Sequence, residues 1–232
     1  MSRSWHIEPH FSQRNNWLRA SILGANDGLI STASLLMGLA ATKPDSSTLL
    51  ITGIAALVGG AVSMAAGEYV SVSSQADTEK ADLAKETHEL THNPDKELAE
   101  LADIYQSRGL DKALAYQVAY ALTTHNALEA HARDEIGIIE EMKAKPLQAA
   151  VASAFAFCIG AALPVLVAVL SPTFIMMPIL ATSTLTGLGI LGYLSAKLGG
   201  APTKPALIRV LLWGTVALVS TGLIGYLLDV QT

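Results

Sequence analysis

The sequence predicts an all-α integral membrane protein with five transmembrane helices and a helical domain inserted between the second and the third. Hydrophobic residues make up 51% of the 232 residues and the mean hydropathy is +0.40, which is too apolar for an ordinary soluble domain. Five stretches each provide the roughly 20 apolar residues that cross about 30 Å of hydrocarbon. Most acidic residues lie outside these stretches, in one segment of the chain.

The five predicted spans imply an orientation and a domain order. The arginines of residues 1–19, together with Lys197, Lys204 and Arg209 between the fourth and fifth spans, place both regions in the cytoplasm by the positive-inside rule. The C-terminus then lies outside. Residues 1–19 show no signal-peptide pattern, so we expect the first helix to be retained. The predicted spans are 20–42, 48–73, 148–170, 174–197 and 207–228, and the predicted domains are 1–19, 20–73, 74–147 and 148–232.

The segment between the second and third spans is acidic and helix-compatible. Residues 75–147 hold fifteen Asp and Glu against eight Lys and Arg, a balance of −7, whereas the rest of the chain carries +2. The second span has no helix breaker before Asn93 and Pro94, so we expect one long helix that continues beyond the membrane. Gly109 is a natural stop for the next helix, and Asp111 caps another. Apolar residues spaced three and four apart predict that these helices form a small cytoplasmic domain.

Asp27 is a carboxylate within the first predicted span. An ionised Asp at the centre of a spanning helix costs roughly 2.5 to 3.5 kcal/mol, and such residues mostly face a bundle interior, a partner or a water-filled path. Two interpretations stay open. Asp27 lies in the headgroup region or hydrogen-bonds a neighbouring helix, or it forms part of a cation or proton site.

Met64 and Glu68 stand one turn apart in the second span. Most membrane methionines fill packing gaps, and a Glu near the surface costs little, so each residue alone has a structural explanation. The combination with Asp27 offers both oxygen and sulfur ligands, which suits a transition metal better than Mg²⁺ or Ca²⁺. We therefore expect Asp27, Met64 and Glu68 to line a cation path.

The acidic segment contains pairs of metal-ligand side chains at helical spacing. Members of a pair that stand three or four apart share one face of a helix. Carboxylates and imidazoles on facing helices are how helical bundles hold iron or manganese, although a solvated acidic face is an equally good interpretation of such a charge run. The candidate metal ligands are Glu86, Glu89, Glu97, Glu100, His131 and Glu135.

Small residues in the spans point to close helix contacts. Gly24 and Gly28 stand four apart, a spacing that lets two helices approach closely. The contact lies either within one chain or between two subunits.

The motifs NDGLISTASLLMGLA, GGAVSMAAGEYVSVSSQ, ELAELADIYQSRGL and HARDEIGI closely resemble those of the vacuolar iron transporter family, in its bacterial form. The resemblance covers residues 16–228. It implies five transmembrane helices, a homodimer with the path at the dimer interface, and export of Fe²⁺ from the cytosol in exchange for protons. It also implies the bacterial inner membrane as the location, and a cytoplasmic metal-binding domain.

The resemblance assigns roles to particular residues. It places Asp27 and Met64 in the translocation path, and it matches the five candidate glutamates of the acidic segment to those of the metal-binding domain. Two positions depart from the eukaryotic pattern: Ala56 stands where those members have a Glu, and His131 and Ala132 stand where they have a Met pair. The first departure bears on proton coupling, and the second on metal preference.

The expected function is therefore a divalent-metal exporter for Fe²⁺ or Mn²⁺ with no tightly bound cofactor. No GxxxxGK[ST] phosphate loop, nucleophile motif or zinc-ligand spacing occurs, so we expect neither ATP use nor an enzyme. The acidity of residues 75–147 argues against a nucleic-acid partner. Two alternatives stay open: a membrane-anchored di-iron carboxylate enzyme or metal sensor, and a passive channel.

Overall fold

The computed structural model describes residues 16–138 and 144–229, so most of the predicted N-terminal segment 1–19 lies outside the described residues. Within them the chain forms helices and loops only. The seven α-helices of the described part are α1 (Asn16–Ala41), α2 (Ser46–His92), α3 (Pro94–Ser107), α4 (Lys112–His131), α5 (Pro146–Leu170), α6 (Met176–Leu198) and α7 (Thr203–Asp229).

Five helices are long and apolar enough to cross a membrane, as predicted. They correspond to α1, α2, α5, α6 and α7, and their mean hydropathies lie between 1.3 and 2.4. A short 3₁₀ turn, Thr173–Ile175, precedes α6. The large apolar side chains on their outer surfaces are widely exposed, which is the arrangement expected of helices that face lipid or a partner.

The second helix is continuous over 47 residues, as its lack of breakers predicted. Asp45 caps its start, because one carboxylate oxygen accepts from the Thr48 N–H at 2.9 Å and the other from the Ser47 hydroxyl at 2.8 Å. It ends at His92, one residue before Asn93, and Pro94 opens α3 at a position where a missing N–H costs nothing.

The chain divides into two compact units, and the division falls within α2. One, the apolar unit, comprises Met1–Val70 and Pro146–Thr232; the other, the acidic unit, is Ser71–Lys145. In the acidic unit, α3 and α4 pack through a small apolar core that includes Leu101 and Ala119. The acidic unit is thus a folded helical body rather than a linker.

The apolar unit is organised around a close contact between α1 and α5. A Cβ added at Gly28 would overlap the backbone oxygen of Phe157, and one added at Gly160 would overlap that of Ala25. Gly24 faces Ser153 in the same way. The backbones therefore touch where side chains would keep them apart. Of the two expectations for the glycine spacing, the contact within one chain is confirmed.

Two irregularities interrupt the helices of the acidic unit. Asn126 has extended backbone angles (φ −162°, ψ 94°), and its side-chain oxygen accepts from the Glu129 N–H at 3.2 Å, so a new helix begins there. Residues Ala132–Ile136 then form a π-helical turn, which ends at Gly137 with a positive φ of 81°. Neither feature was predicted from the sequence.

Gly160→Ala is expected to lower the thermal stability of the detergent-solubilised protein, because the added methyl group would push α5 away from the Ala25 backbone. Overpacking of this kind costs about 1 to 3 kcal/mol. The measurement is the melting midpoint followed by fluorescence-detected size-exclusion chromatography. Gly189→Ala on α6 is the matched control, since a Cβ there meets no described atom within 4 Å. Equal midpoints for the two variants would contradict the packing argument.

Candidate functional site

A cavity of about 440 Å³ lies between α1 and α2, with one side chain from α5. The three predicted path residues, Asp27, Met64 and Glu68, all line it. Asp27 and Ser31 stand one turn apart on α1 and so share the face that turns towards α2. We call this the Asp27 cavity; its lining residues are Asp27, Ser31, Thr32, Leu35, Ala56, Gly60, Ser63, Met64, Gly67, Glu68 and Phe157.

The Asp27 cavity is open to the outside of the chain. Several of its lining residues, including Leu35, Ser63 and Gly67, are exposed. Met64 packs in part against Phe157 and its apolar neighbours. The cavity therefore offers a carboxylate, a thioether and hydroxyl groups on an otherwise apolar surface. The acids and the thioether were predicted from the sequence, whereas the hydroxyls of Ser31 and Ser63 were not.

Four candidate metal ligands of the acidic unit converge on one point. Glu86 comes from α2, Glu97 from α3, His131 from the end of α4, and Glu135 from the π-helical turn. One ligand atom from each lies within 4.8 Å of the others. Glu86, Glu97 and His131 are almost fully buried, with at most 3% of their surface exposed. We call these four side chains the ligand cluster.

The polar atoms of the ligand cluster are incompletely satisfied. His131 Nδ1 lies 2.9 Å from a Glu135 oxygen, with which it forms a hydrogen bond, and 3.0 Å from a Glu86 oxygen. A single ring N–H cannot serve both. Glu86 Oε1, Glu97 Oε1 and His131 Nε2 are buried without a hydrogen-bond partner among the described residues. Glu97 Oε1 lies 3.6 Å from the Lys96 ammonium, which is an ion pair but not a hydrogen bond. Buried polar atoms without hydrogen bonds are costly, and a bound cation would satisfy these.

The charge balance of the ligand cluster favours uptake of a positive ion. Burial raises the pKa of Glu86, and the charge of Glu135 raises it further, while His131 acts in the opposite direction. Carboxylates that repel one another in a buried site gain most when a cation or proton neutralises them. The cluster is thus able to bind a metal through oxygen and nitrogen.

The other two candidate ligands lie outside the ligand cluster. Glu89 approaches Lys85 at 3.8 Å, and Glu100 approaches Lys96 at 3.9 Å. Both acids are partly exposed. Each stands one turn from a cluster member on the same helix, so the structure places them beside the cluster rather than within it.

An ion-pair clamp holds the π-helical turn that carries Glu135. The Asp134 carboxylate accepts from the Tyr105 hydroxyl at 2.7 Å, from Arg108 at 2.6 Å and from Arg133 at 2.8 Å. Burial alone would raise the pKa of Asp134, but these hydrogen bonds outweigh it and lower the pKa to about 2. Asp134 lies within one of the quoted motifs, but no role was predicted for it, because two of its three partners, Tyr105 and Arg108, are more than 20 positions away.

Together these features define a class: an integral membrane protein with a polar cavity beside its spans and a carboxylate and imidazole cluster suited to a metal ion. Residues 18–226 match the sequence profile of the VIT family, so the chain belongs to the VIT family, as its motifs predicted.

Curated relatives extend this match over most of the chain. A vacuolar iron transporter of Acanthamoeba castellanii is 40% identical over 91% of this chain and 78% of its own length. Vacuolar iron transporter homolog 4 of Arabidopsis thaliana is 36% identical over 91% and 83%, and VIT-like transporter 1b of Glycine max is 31% identical over 93% and 78%. These relatives are named as transporters, which confirms the expectation of a transporter rather than an enzyme.

Asp134→Asn is expected to destabilise the acidic unit, because an amide cannot accept three charge-assisted hydrogen bonds. Lowering the pKa from 3.8 to about 2 corresponds to about 2 kcal/mol. Because the folded pKa is depressed, this contribution is complete above pH 3.8 and is lost as the pH falls towards 2. Amide hydrogen exchange of residues 94–136 in the full chain at neutral pH should accelerate roughly thirtyfold.

The matched control for this variant is Asp103→Asn. Asp103 is an exposed acid on α3 whose carboxylate accepts from the Gln106 side chain. Its exchange should stay within about twofold of the unmodified chain, since exposed interactions contribute little. Equal acceleration in both variants would show that Asp134 does not clamp the turn.

Proposed function

We propose that this chain exports a divalent transition metal, Fe²⁺ foremost and Mn²⁺ second, from the cytosol in exchange for protons. The observation that carries the proposal is the Asp27 cavity, which brings a carboxylate, a thioether and a second acid together beside the spanning helices. Oxygen and sulfur ligands together suit a first-row transition metal. The relatives named as iron transporters support iron as the cargo.

A second copy of the chain closes the Asp27 cavity in this proposal. A carboxylate on a span is unfavourable against lipid, so an open cavity that contains Asp27 needs cover. The spanning part of α2 exposes Ile51, Val58 and Val62 along the chain surface. Only 11% of its most apolar window is buried, against 50% for α1. A homodimer that pairs these surfaces would enclose the path between two copies of Asp27, Met64 and Glu68.

The ligand cluster collects metal before transport in this proposal. Its three carboxylates and one imidazole are the donor types that helical bundles use for iron and manganese. Glu89 and Glu100 add negative charge beside it and raise the local concentration of cations. The metal is cargo here, so the affinity must permit release.

Proton exchange follows from competition for the same oxygens. A buried carboxylate is stabilised either by a metal ion or by a proton, and one displaces the other. Ala56 lines the Asp27 cavity and supplies no carboxylate to it. Asp27 and Glu68 therefore carry the exchangeable protons of the path.

The proposed orientation has the N-terminus and the acidic unit in the cytoplasm and the C-terminus outside, in a bacterial inner membrane. Arg19 and Arg209 line one groove, so the start of α1 and the loop between α6 and α7 lie at the same end of the apolar unit. Lys197 and Lys204 belong to that loop region. By contrast, Lys43 is the single basic residue between α1 and α2. This charge difference supports the orientation.

Asp27→Asn is expected to abolish metal flux into proteoliposomes while the protein remains folded, because an amide cannot exchange a proton for a metal ion. The measurement is Fe²⁺ or Mn²⁺ uptake with and without an imposed pH difference, together with size-exclusion chromatography for assembly. Asp45→Asn is the matched control: Asp45 is an exposed cap of α2, and Asn caps helices as well as Asp. It should transport normally.

Undiminished transport by Asp27→Asn would remove Asp27 from the mechanism. If metal flux through the unmodified protein did not depend on the pH difference, the result would support a passive channel. It would contradict proton exchange but not the proposed metal path.

Glu97→Gln and His131→Ala are each expected to weaken Mn²⁺ binding to the full chain at least tenfold, because each removes one of four converging ligands. Binding is measured by the loss of the free Mn²⁺ electron paramagnetic resonance signal. His88→Ala is the control, since His88 is an exposed imidazole of α2 that stacks on His92. Unchanged affinity in both cluster variants would mean that the metal binds elsewhere.

A further inference from the structure

A second large cavity lies at the end of the apolar unit where α1 begins. It measures about 690 Å³ and is bounded by the first turns of α1 and α7 and the last turns of α6. It shares no lining residue with the Asp27 cavity. We call it the arginine groove, because Arg19 and Arg209 both line it.

The arginine groove combines a cationic mouth with an apolar interior. Its walls include Ile22, Val210 and Trp213, while small residues such as Ala196 and Ala206 leave its floor open. Trp213 is 66% exposed, so its ring offers a large apolar surface on the outside of the chain. The lining of the groove is therefore amphipathic.

Neither arginine of the groove is neutralised by a carboxylate of the described residues. Arg209 donates its Nε to the Pro205 carbonyl at 3.1 Å, which leaves the two terminal nitrogens of its guanidinium for another acceptor. The segments that form the groove, residues 18–26 and 192–213, contain Arg19, Lys197, Lys204 and Arg209 but no Asp or Glu. The four positive charges of these two segments attract an anion and repel a metal cation.

We propose that the arginine groove binds one anionic phospholipid. The two guanidinium groups would hold the phosphate of its headgroup, and one acyl chain would lie along the apolar walls. Basic pockets between spanning helices are suited to anionic headgroups, and a guanidinium matches phosphate oxygens in geometry as well as charge. The groove meets both requirements of such a lipid, because it offers charge at the span ends and apolar surface below them.

The bound lipid would join α1 to α6 and α7 at this end of the unit. Arg19 belongs to α1 and Arg209 to α7, so a single phosphate between them would link two helices through charge-assisted hydrogen bonds. We therefore expect the lipid to stabilise the apolar unit whether or not metal is present.

The test is lipid retention by the purified full chain in a neutral detergent, counted by native mass spectrometry after addition of phosphatidylglycerol or phosphatidylcholine with identical acyl chains. The unmodified protein should retain one phosphatidylglycerol in preference to phosphatidylcholine. Arg19→Gln with Arg209→Gln should weaken that retention roughly thirtyfold, since each guanidinium in direct contact with the headgroup phosphate contributes roughly fivefold. Phosphatidylglycerol should also raise the melting midpoint of the unmodified protein but not of the variant.

A matched double variant separates the groove from general surface charge. Lys197→Gln with Lys204→Gln removes the same charge from the same end of the unit, although neither lysine lines the groove. It should reduce retention only a few-fold. Ala206→Leu keeps every charge but fills part of the groove, so it should reduce retention of the lipid. This variant provides the test if the arginine variant fails to fold.

Three results would overturn the proposal. The first is equal retention of the two lipids by the unmodified protein, and the second is equal losses in the arginine and lysine variants. The third is lipid retention that appears only after residues 2–15 are deleted, which would assign the groove to the N-terminal segment. Metal transport is a separate measurement, so failure here leaves the proposed function standing.

Discussion

The backbone contact between α1 and α5 is the constraint on which the apolar unit depends. Because Gly28 and Gly160 carry no side chain, the two helices touch along one face of α1. The adjacent face, which carries Asp27 and Ser31, is then turned towards α2. A bulkier residue at either glycine would rotate or displace α1, and the carboxylate would move with it. The close approach of α1 and α5 thus determines both how α1 packs and where its carboxylate lies.

Hydrophobic patterning alone predicted the five spans, since a stretch of 20 apolar residues has few alternatives. The end of α2 at His92 and the cap at Asp111 were also predictable from the sequence, because proline and capping residues act through local geometry. The break at Asn126 was not predicted. Asn occurs within helices too, and nothing nearby in the sequence forces extended backbone angles there.

The candidate sites could be predicted from the sequence only in part. Helical spacing placed Glu86 with Glu89 and Glu97 with Glu100 on shared faces, but it could not say which member of each pair turns inwards. The structure turns Glu86 and Glu97 inwards, because they face His131 across the core of the acidic unit. The Asp134 clamp was not predicted for a related reason: two of its three partners, Tyr105 and Arg108, come from another helix, and no local sequence pattern indicates a contact over such a separation.

The helix restart at Asn126 separates the ligand-bearing end of α4 from the rest of that helix. In an unbroken helix, one inserted residue rotates everything after it by about 100° and would carry His131 out of its cluster. Here the extended residue and its own cap begin a new helix, so residues 127–136 take a direction that the first half of α4, continued as a regular helix, would not give them. Packing against α3 thus fixes the first half of α4, while the backbone angles of Asn126 set the direction in which the imidazole and Glu135 point.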